Sequence, residues 1–205
     1  ILSKSKINTL FIDIRDNYGG KTRNFESLLS YLSDDTIYQA NKVLLKLTEK
    51  VQKMALESAE KGDSDLLKKI TGYNIGDTLT LLTKKEMAIY KPNNQYLFRG
   101  NLYVLVDLST FSAASGFATI IKNNDMGLII GEETEGTTNS SSDPIIFKLP
   151  YSKSNLSIPS KMVFQAGFNT KCGLMPDIKF DKNYSFMLNR DRFIKELIKS
   201  LKKNQ

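Results

Sequence analysis

The chain has 205 residues, 40% hydrophobic and 25% charged, which suits one substantial core and argues against a disordered or collagenous reading. Its net charge of +7 comes from lysines spread along the sequence, and no aromatic and basic residues interleave as in a recognition motif, so no nucleic-acid partner is expected. A single cysteine, Cys172, excludes an intrachain disulfide framework, and the absence of histidine removes the commonest metal ligand and the commonest general base together.

No run approaches the roughly 18 apolar residues of a membrane span, and neither a metal nor a cofactor is implied. Position 1 is Ile, with a strand-like run soon after, which leads to the expectation that an upstream part precedes this sequence. Residues 7–14 (INTLFIDI) are branched and aromatic and run into Arg15-Asp16-Asn17-Tyr18-Gly19-Gly20, predicting a buried strand that feeds a turn. Phe25, Leu28, Leu29 and Leu32 then recur at helical spacing, predicting a helix from Asn24.

Ile37, Ala40, Leu44, Leu47, Val51, Met54 and Ala55 keep the three-and-four spacing of an amphipathic helix packed on the core. Gly62-Asp63-Ser64 interrupts it before a second short helical run to Ile70. In residues 71–100, Gly72, Gly76, Pro92 and the Asn93-Asn94 pair predict loops and short strands. Residues 36–100 as a whole read as a mainly helical insertion.

Residues 102–108 (LYVLVDL) predict a second buried strand, Ser109-Thr110-Phe111-Ser112 a polar break, 113–122 a helix with small residues in its first turns, and 126–131 a third strand. Strand, tight turn, helix and strand in this order form a βαβ unit with a right-handed crossover, so the fold class is α/β. Residues 144–149, 157–164 and 178–180 predict extra short strands. A closing amphipathic helix spans 192–203, with Lys195, Lys199, Lys202 and Lys203 on its solvated face.

Two junctions share one physical form: a buried strand ends and the chain turns sharply before a helix. The N–H groups of a helix N-terminus are unpaired, and small residues let a substrate approach them. The first junction offers Gly19 and Gly20, the second Ser112 followed by Ala113 and Ala114, together a nucleophile with an oxyanion hole. A Gly-Gly after a strand also serves plain turn geometry, and a serine opening a helix also serves as an N-cap.

Residues 10–20 (LFIDIRDNYGG) resemble the strand and Asp-Leu-Arg-x-Asn-x-Gly-Gly motif of the C-terminal processing (tail-specific) serine peptidases and the related tricorn core. Residues 110–118 (TFSAASGFA) resemble that family's nucleophile turn, 128–136 (LIIGEETEG) its Ile-Gly-Glu-x-Thr-x-Gly motif, and 173–178 (GLMPDI) its Gly-x-x-Pro-Asp-Ile motif. The four occur in the family's order and span residues 7–181.

The resemblance implies a ClpP/crotonase-like core of βαβ units across residues 1–205, N-terminally incomplete, and a serine-type endopeptidase or carboxy-terminal processing peptidase acting on polypeptides. It aligns Ser112 with the nucleophile and the amides of Gly20 and Ala113 with the oxyanion donors. Arg15, Asn17 and Gly19 would shape the first turn; Gly131, Glu132, Thr134 and Gly136 would form the motif beside the active site. Asp177 matches the Pro-Asp pair, as a turn former or with a substrate role.

The proton acceptor does not carry over. The bacterial branch has a lysine where this sequence has Thr137; the tricorn-like branch uses an upstream histidine, and a glutamate where this sequence has Thr170. Lys122, Lys161 and Lys171 are conceivable substitutes if burial left one neutral. The leading expectation is a base supplied by an upstream segment; the alternative is a catalytically inactive pseudopeptidase that binds polypeptide. A crotonase-like acyl-thioester enzyme lacks a CoA-binding signature here. The family resemblance also implies an extracytoplasmic place, periplasmic or exported, in a bacterium.

Overall fold

The computed structural model describes residues 7–89, 95–165, 172–179 and 190–203. Strand β1 (Thr9–Asp13) leads to helix α1 (Arg23–Leu29), and strand β6 (Asn101–Val106) to helix α4 (Ala113–Asn123) and strand β7 (Leu128–Gly131). With β10 (Ile178–Lys179) these strands form a parallel sheet in the order β1-β6-β7-β10. The α/β class and the βαβ unit read from the sequence are both present.

A parallel sheet is covered on both faces, and β6 shows why its sequence is continuously apolar. Leu102, Val104 and Val106 join Leu29 of α1, Phe117 and Ile121 of α4 and Ile129 of β7 in one core cluster. Tyr103 and Leu105 point the other way, to Ile130 and to Phe193 and Leu197 of the closing helix α5 (Arg190–Lys203). Burying Leu105 and Leu197 contributes about 2 kcal/mol each.

The expected helix over residues 37–55 is overturned in its first half. Strand β2 (Ile37–Tyr38) pairs with β5 (Ala88–Ile89), and β3 (Lys42–Lys46) is an inner strand of an antiparallel sheet ordered β4-β3-β9-β8. Here β4 is Thr78–Thr83, β8 is Ser140–Lys148 and β9 is Asn155–Phe164. Only from Glu49 does helix α2 (Glu49–Glu60) begin, where the Thr48 hydroxyl accepts from the Val51 N–H at 3.3 Å. The physical reason lies in a second period: Val43, Leu45 and Leu47 alternate toward one core while Lys42 and Lys46 face out. Pairing on both sides satisfies the β3 backbone, and tertiary context outweighs the helical spacing.

Residues 36–100 are thus mixed rather than mainly helical. Helix α2 and helix α3 (Asp65–Ile70) pack Val51, Ala55 and Ile70 onto the second sheet with Leu79, Leu81 and Ile145. The break at Gly62 and the short strands beyond residue 71 follow the sequence reading. Pro144 lies in β8, an edge strand where its missing N–H is tolerated. Of the expectations above, Phe180, Pro92 and the Asn93-Asn94 pair lie outside the described residues.

Helix α3 is clasped to the end of β4 by Glu86. Its carboxylate accepts from Lys69 Nζ at 2.9 Å and from the Thr83 N–H and hydroxyl at 2.9 and 2.8 Å. The Lys69 hydrogen bond first, then the two from Thr83, hold its pKa down from 4.5 to about 2. The folded value lies below the unfolded one, so the stabilisation is complete above about pH 4.5 and is lost as the pH falls through about 2. Replacing Glu86 by Gln is expected to lower the melting temperature at neutral pH, with the gap to wild type closing between about pH 4.5 and about pH 2. Circular dichroism melts across that range check this; a gap that stays constant would refute it.

Candidate active site

The site forms where β1 and β6 end side by side. Asp13 pairs with Leu105 in the ladder, and the Ile14 N–H donates to the Leu105 carbonyl at 3.0 Å, carrying the pairing one residue further. Both chains then turn off the sheet at the same level. The Phe111 N–H donates to the Asn17 carbonyl at 3.0 Å, and the Gly19 N–H to Asn17 Oδ1 at 3.0 Å.

Ser112 stands at the head of α4 with φ 54° and ψ −123°, and its side chain makes no capping bond. Ser112 thus occupies the N-cap position without its hydroxyl capping the helix. Such a backbone is costly for a residue with a Cβ, on the order of 1–3 kcal/mol, and persists only when its surroundings over-determine it. Here Gly19, with φ 96°, supplies the surroundings. A Cβ on Gly19 would come within 2.7 Å of Ser112 Cβ and 2.8 Å of both Ala113 N and the Phe111 carbonyl, so only glycine permits the two turns to touch.

The N–H groups of Gly20 and Ala113 have no hydrogen-bond partner among the described residues. Gly20 has φ 153°, and no atom lies within 4 Å of the place a Cβ would take. Both residues line a pocket of about 190 Å³ walled by Ile12, Ile14, Phe25, Leu28 and Phe117, with Lys21 among its lining residues. The pocket is apolar in its walls and opens beside the exposed Ser112 turn. At the N-terminal end of α4 the helix dipole adds a partial positive charge.

The 131–136 segment braces this turn from below. Gly131 has φ 136°, and its absent Cβ leaves room for the Val106 carbonyl, which a methyl would meet at 1.9 Å. Thr134 is buried; its hydroxyl lies 3.0 Å from Ser115 Oγ and accepts from the Leu174 N–H at 3.0 Å, tying the first turn of α4 to Leu174. The Glu135 N–H donates to the Thr110 carbonyl at 3.0 Å, and Gly136, with φ 81°, lies against the Phe111 ring. Asp177 accepts from the Ile129 N–H at 2.8 Å and pairs with Lys122 at 2.7 Å, which gives it a structural partner on both sides.

Arg15 holds Asp13 by two bonds of 2.9 and 2.8 Å, with its guanidinium 4.5 Å from the centre of the Phe193 ring. The hydrogen bond to Asp13 is the main cause that raises its pKa still further. The last helix thus anchors the start of the first turn, a link that sequence spacing does not reveal. Asp107 and Thr110 were also missed, although a carboxylate at a strand end with Ser and Thr two and three residues on is a turn-binding pattern.

Two of the three candidate lysines are otherwise engaged. Lys122 is in its ion pair with Asp177, Lys161 pairs with Asp143, and the exposed Thr137 donates its hydroxyl to the Asn139 carbonyl. Lys171 and Thr170 lie outside the described residues. No cluster of metal-ligating side chains occurs among the described residues.

If the Ser112 backbone is strained, removing its Cβ relieves it. Ser112→Gly is expected to raise stability by about 1 kcal/mol over wild type, and Ser112→Ala, which keeps the Cβ, to leave it nearly unchanged. Urea unfolding of the three proteins measures this; equal gains for both variants would show that the hydroxyl, not the backbone, carries the strain.

Among solved structures the chain is similar to mature CPAF, with 20% identity and a TM-score of 0.64 over 85% of this chain and 39% of that one. It is similar to the photosystem II D1 C-terminal processing protease, with 23% identity and a TM-score of 0.50 over 88% of this chain and 36% of that one. A Parabacteroides merdae protein matches with 16% identity and a TM-score of 0.60 over 96% of this chain and 52% of that one. At these identities the likeness shows a shared fold, and the chain spans 36% to 52% of the length of these three structures. None of the curated proteins matches this sequence. The family model of Peptidase family S41 matches residues 1–180, and the chain belongs to that family.

Proposed function

We propose that this chain carries the nucleophile and oxyanion hole of a serine peptidase acting on polypeptides, with Ser112 as nucleophile and Gly20 and Ala113 as the oxyanion donors. The observation that supports it most is the strained, uncapped Ser112 turn with two unpaired N–H groups beside it. Ser112 Oγ attacks the scissile carbonyl carbon, its proton passing to a base, and the developing oxyanion takes the two N–H groups. The C–N bond then breaks, the amine leaves with a proton, and water hydrolyses the ester left on Ser112.

The base belongs, on this reading, to a segment outside these 205 residues. The absence of histidine, the ion pairs of Lys122 and Lys161 and the exposure of Thr137 support it. The apolar pocket beside the oxyanion donors suits the side chain on the acyl side of the cleaved bond, so an aliphatic residue is favoured there over a charged one. An extracytoplasmic place, periplasmic or exported, in a bacterium is part of the same proposal and rests on the family resemblance. No described helix is long and apolar enough to cross a membrane.

A fluorophosphonate probe tests the chemistry. The complete gene product is expected to label on Ser112, with labelling abolished in Ser112→Ala and weaker by roughly 1,000-fold or more in the 205-residue chain alone. Folded complete protein that never labels would instead favour a pseudopeptidase that holds polypeptide without cutting it. In fluorogenic peptides, an aliphatic residue before the cleaved bond should raise kcat/KM by roughly 100-fold over a charged one.

A further inference from the structure

The two turns of the site are joined by one carboxylate. Asp107 is half-buried at the end of β6, just before the nucleophile turn. Both its oxygens accept from the Asp16 N–H at 3.2 Å, across to the first turn, and its Oδ1 also accepts from the Ser109 N–H at 3.0 Å within its own. Thr110, fully buried, completes the knot: its hydroxyl accepts from the Asp107 N–H at 3.0 Å and lies 3.0 Å from both Asp107 Oδ1 and the Ile14 carbonyl, which share its one proton. Asp16 has φ 57°, a left-handed backbone that a β-substituted residue adopts only when held.

We propose that Asp107, backed by Thr110, is a positioning residue that sets the Gly20 N–H against the Ser112 turn. The inference rests on the peptidase reading above. The path is short: Asp107 fixes the left-handed turn at Asp16, the next residue receives the Phe111 N–H on its carbonyl and the Gly19 N–H on its side chain, and Gly19 bears on Ser112 and Ala113. The donor to the oxyanion follows directly. Asp107→Asn keeps the Oδ1 acceptor and removes the charge, so it separates the hydrogen bonds, to which we assign the positioning, from the charge.

The test combines two readouts on wild type, Asp107→Ala, Asp107→Asn and Thr110→Val. Amide hydrogen exchange of the 205-residue chain is expected to speed up at least ten-fold at the hydrogen-bonded N–H groups of Asp16, Gly19, Ser109 and Phe111 in Asp107→Ala, with β7 and the end of α4 unchanged. Asp107→Asn should restore protection to within about three-fold of wild type. In the complete gene product, fluorophosphonate labelling and peptide turnover should fall by 10- to 100-fold in Asp107→Ala through kcat, with KM unchanged, and recover in Asp107→Asn. Thr110→Val should reproduce a smaller version of both effects even if Asp107→Ala does not fold. Unchanged exchange over residues 16–20 in the folded alanine and valine variants overturns the positioning role whatever the labelling does. Failure of wild type to label overturns the peptidase reading, and exchange alone then decides whether Asp107 holds the turn.

Discussion

Everything at the site depends on the parallel pairing of β1 with β6. In this register Asp13 lies beside Leu105, and Asp107 comes within reach of Asp16 as both chains leave the sheet. A shift of one residue would turn Leu102 and Val104 from the α4 face to the α5 face and separate the two turns. The fit of these side chains into two separate clusters, one on each face, opposes that shift. The hydrophobic core therefore does more than stabilise: it sets the alignment of the polar groups above it.

On that alignment the fold concentrates unusual backbone. Asp16, Gly19, Gly20, Ser112, Gly131 and Gly136 all have positive φ, and all lie within the two turns or the segment that braces them. All but Gly20, which faces open space, meet an identifiable contact: a carboxylate, a facing turn, a neighbouring carbonyl or an aromatic ring. Helix α5 contributes from the opposite face of the sheet, through Phe193 on Arg15. The strain is local, while the groups that sustain it come from both halves of the chain.

The sequence disclosed the parts of this arrangement that depend on local pattern. The continuous apolar run of β6, the glycines of the first turn and the small residues opening α4 each carry their own signal, and the four family motifs give their order. What it concealed depends on partners distant in the chain. Residues 37–47 satisfy a helical spacing and an alternating one at once, and only pairing of β3 with β4 and β9 decides between them. Asp107 likewise looks like the polar end of a strand until Asp16 is brought beside it. Spacing could suggest that Lys122 was available as a base, but not that Asp177 would occupy it.

The pairing of Thr9 with Asn101 has a consequence for the order in which the molecule is made. Strand β1 emerges before β6 and has no β6 to pair with until the whole intervening segment exists, and closing so long a loop is slow relative to forming helices. Until it closes, Gly19 has nothing to press against and Ser112 no reason to leave an ordinary backbone conformation. The bent turn is a property of the finished fold, and a nascent chain carries the serine without the geometry.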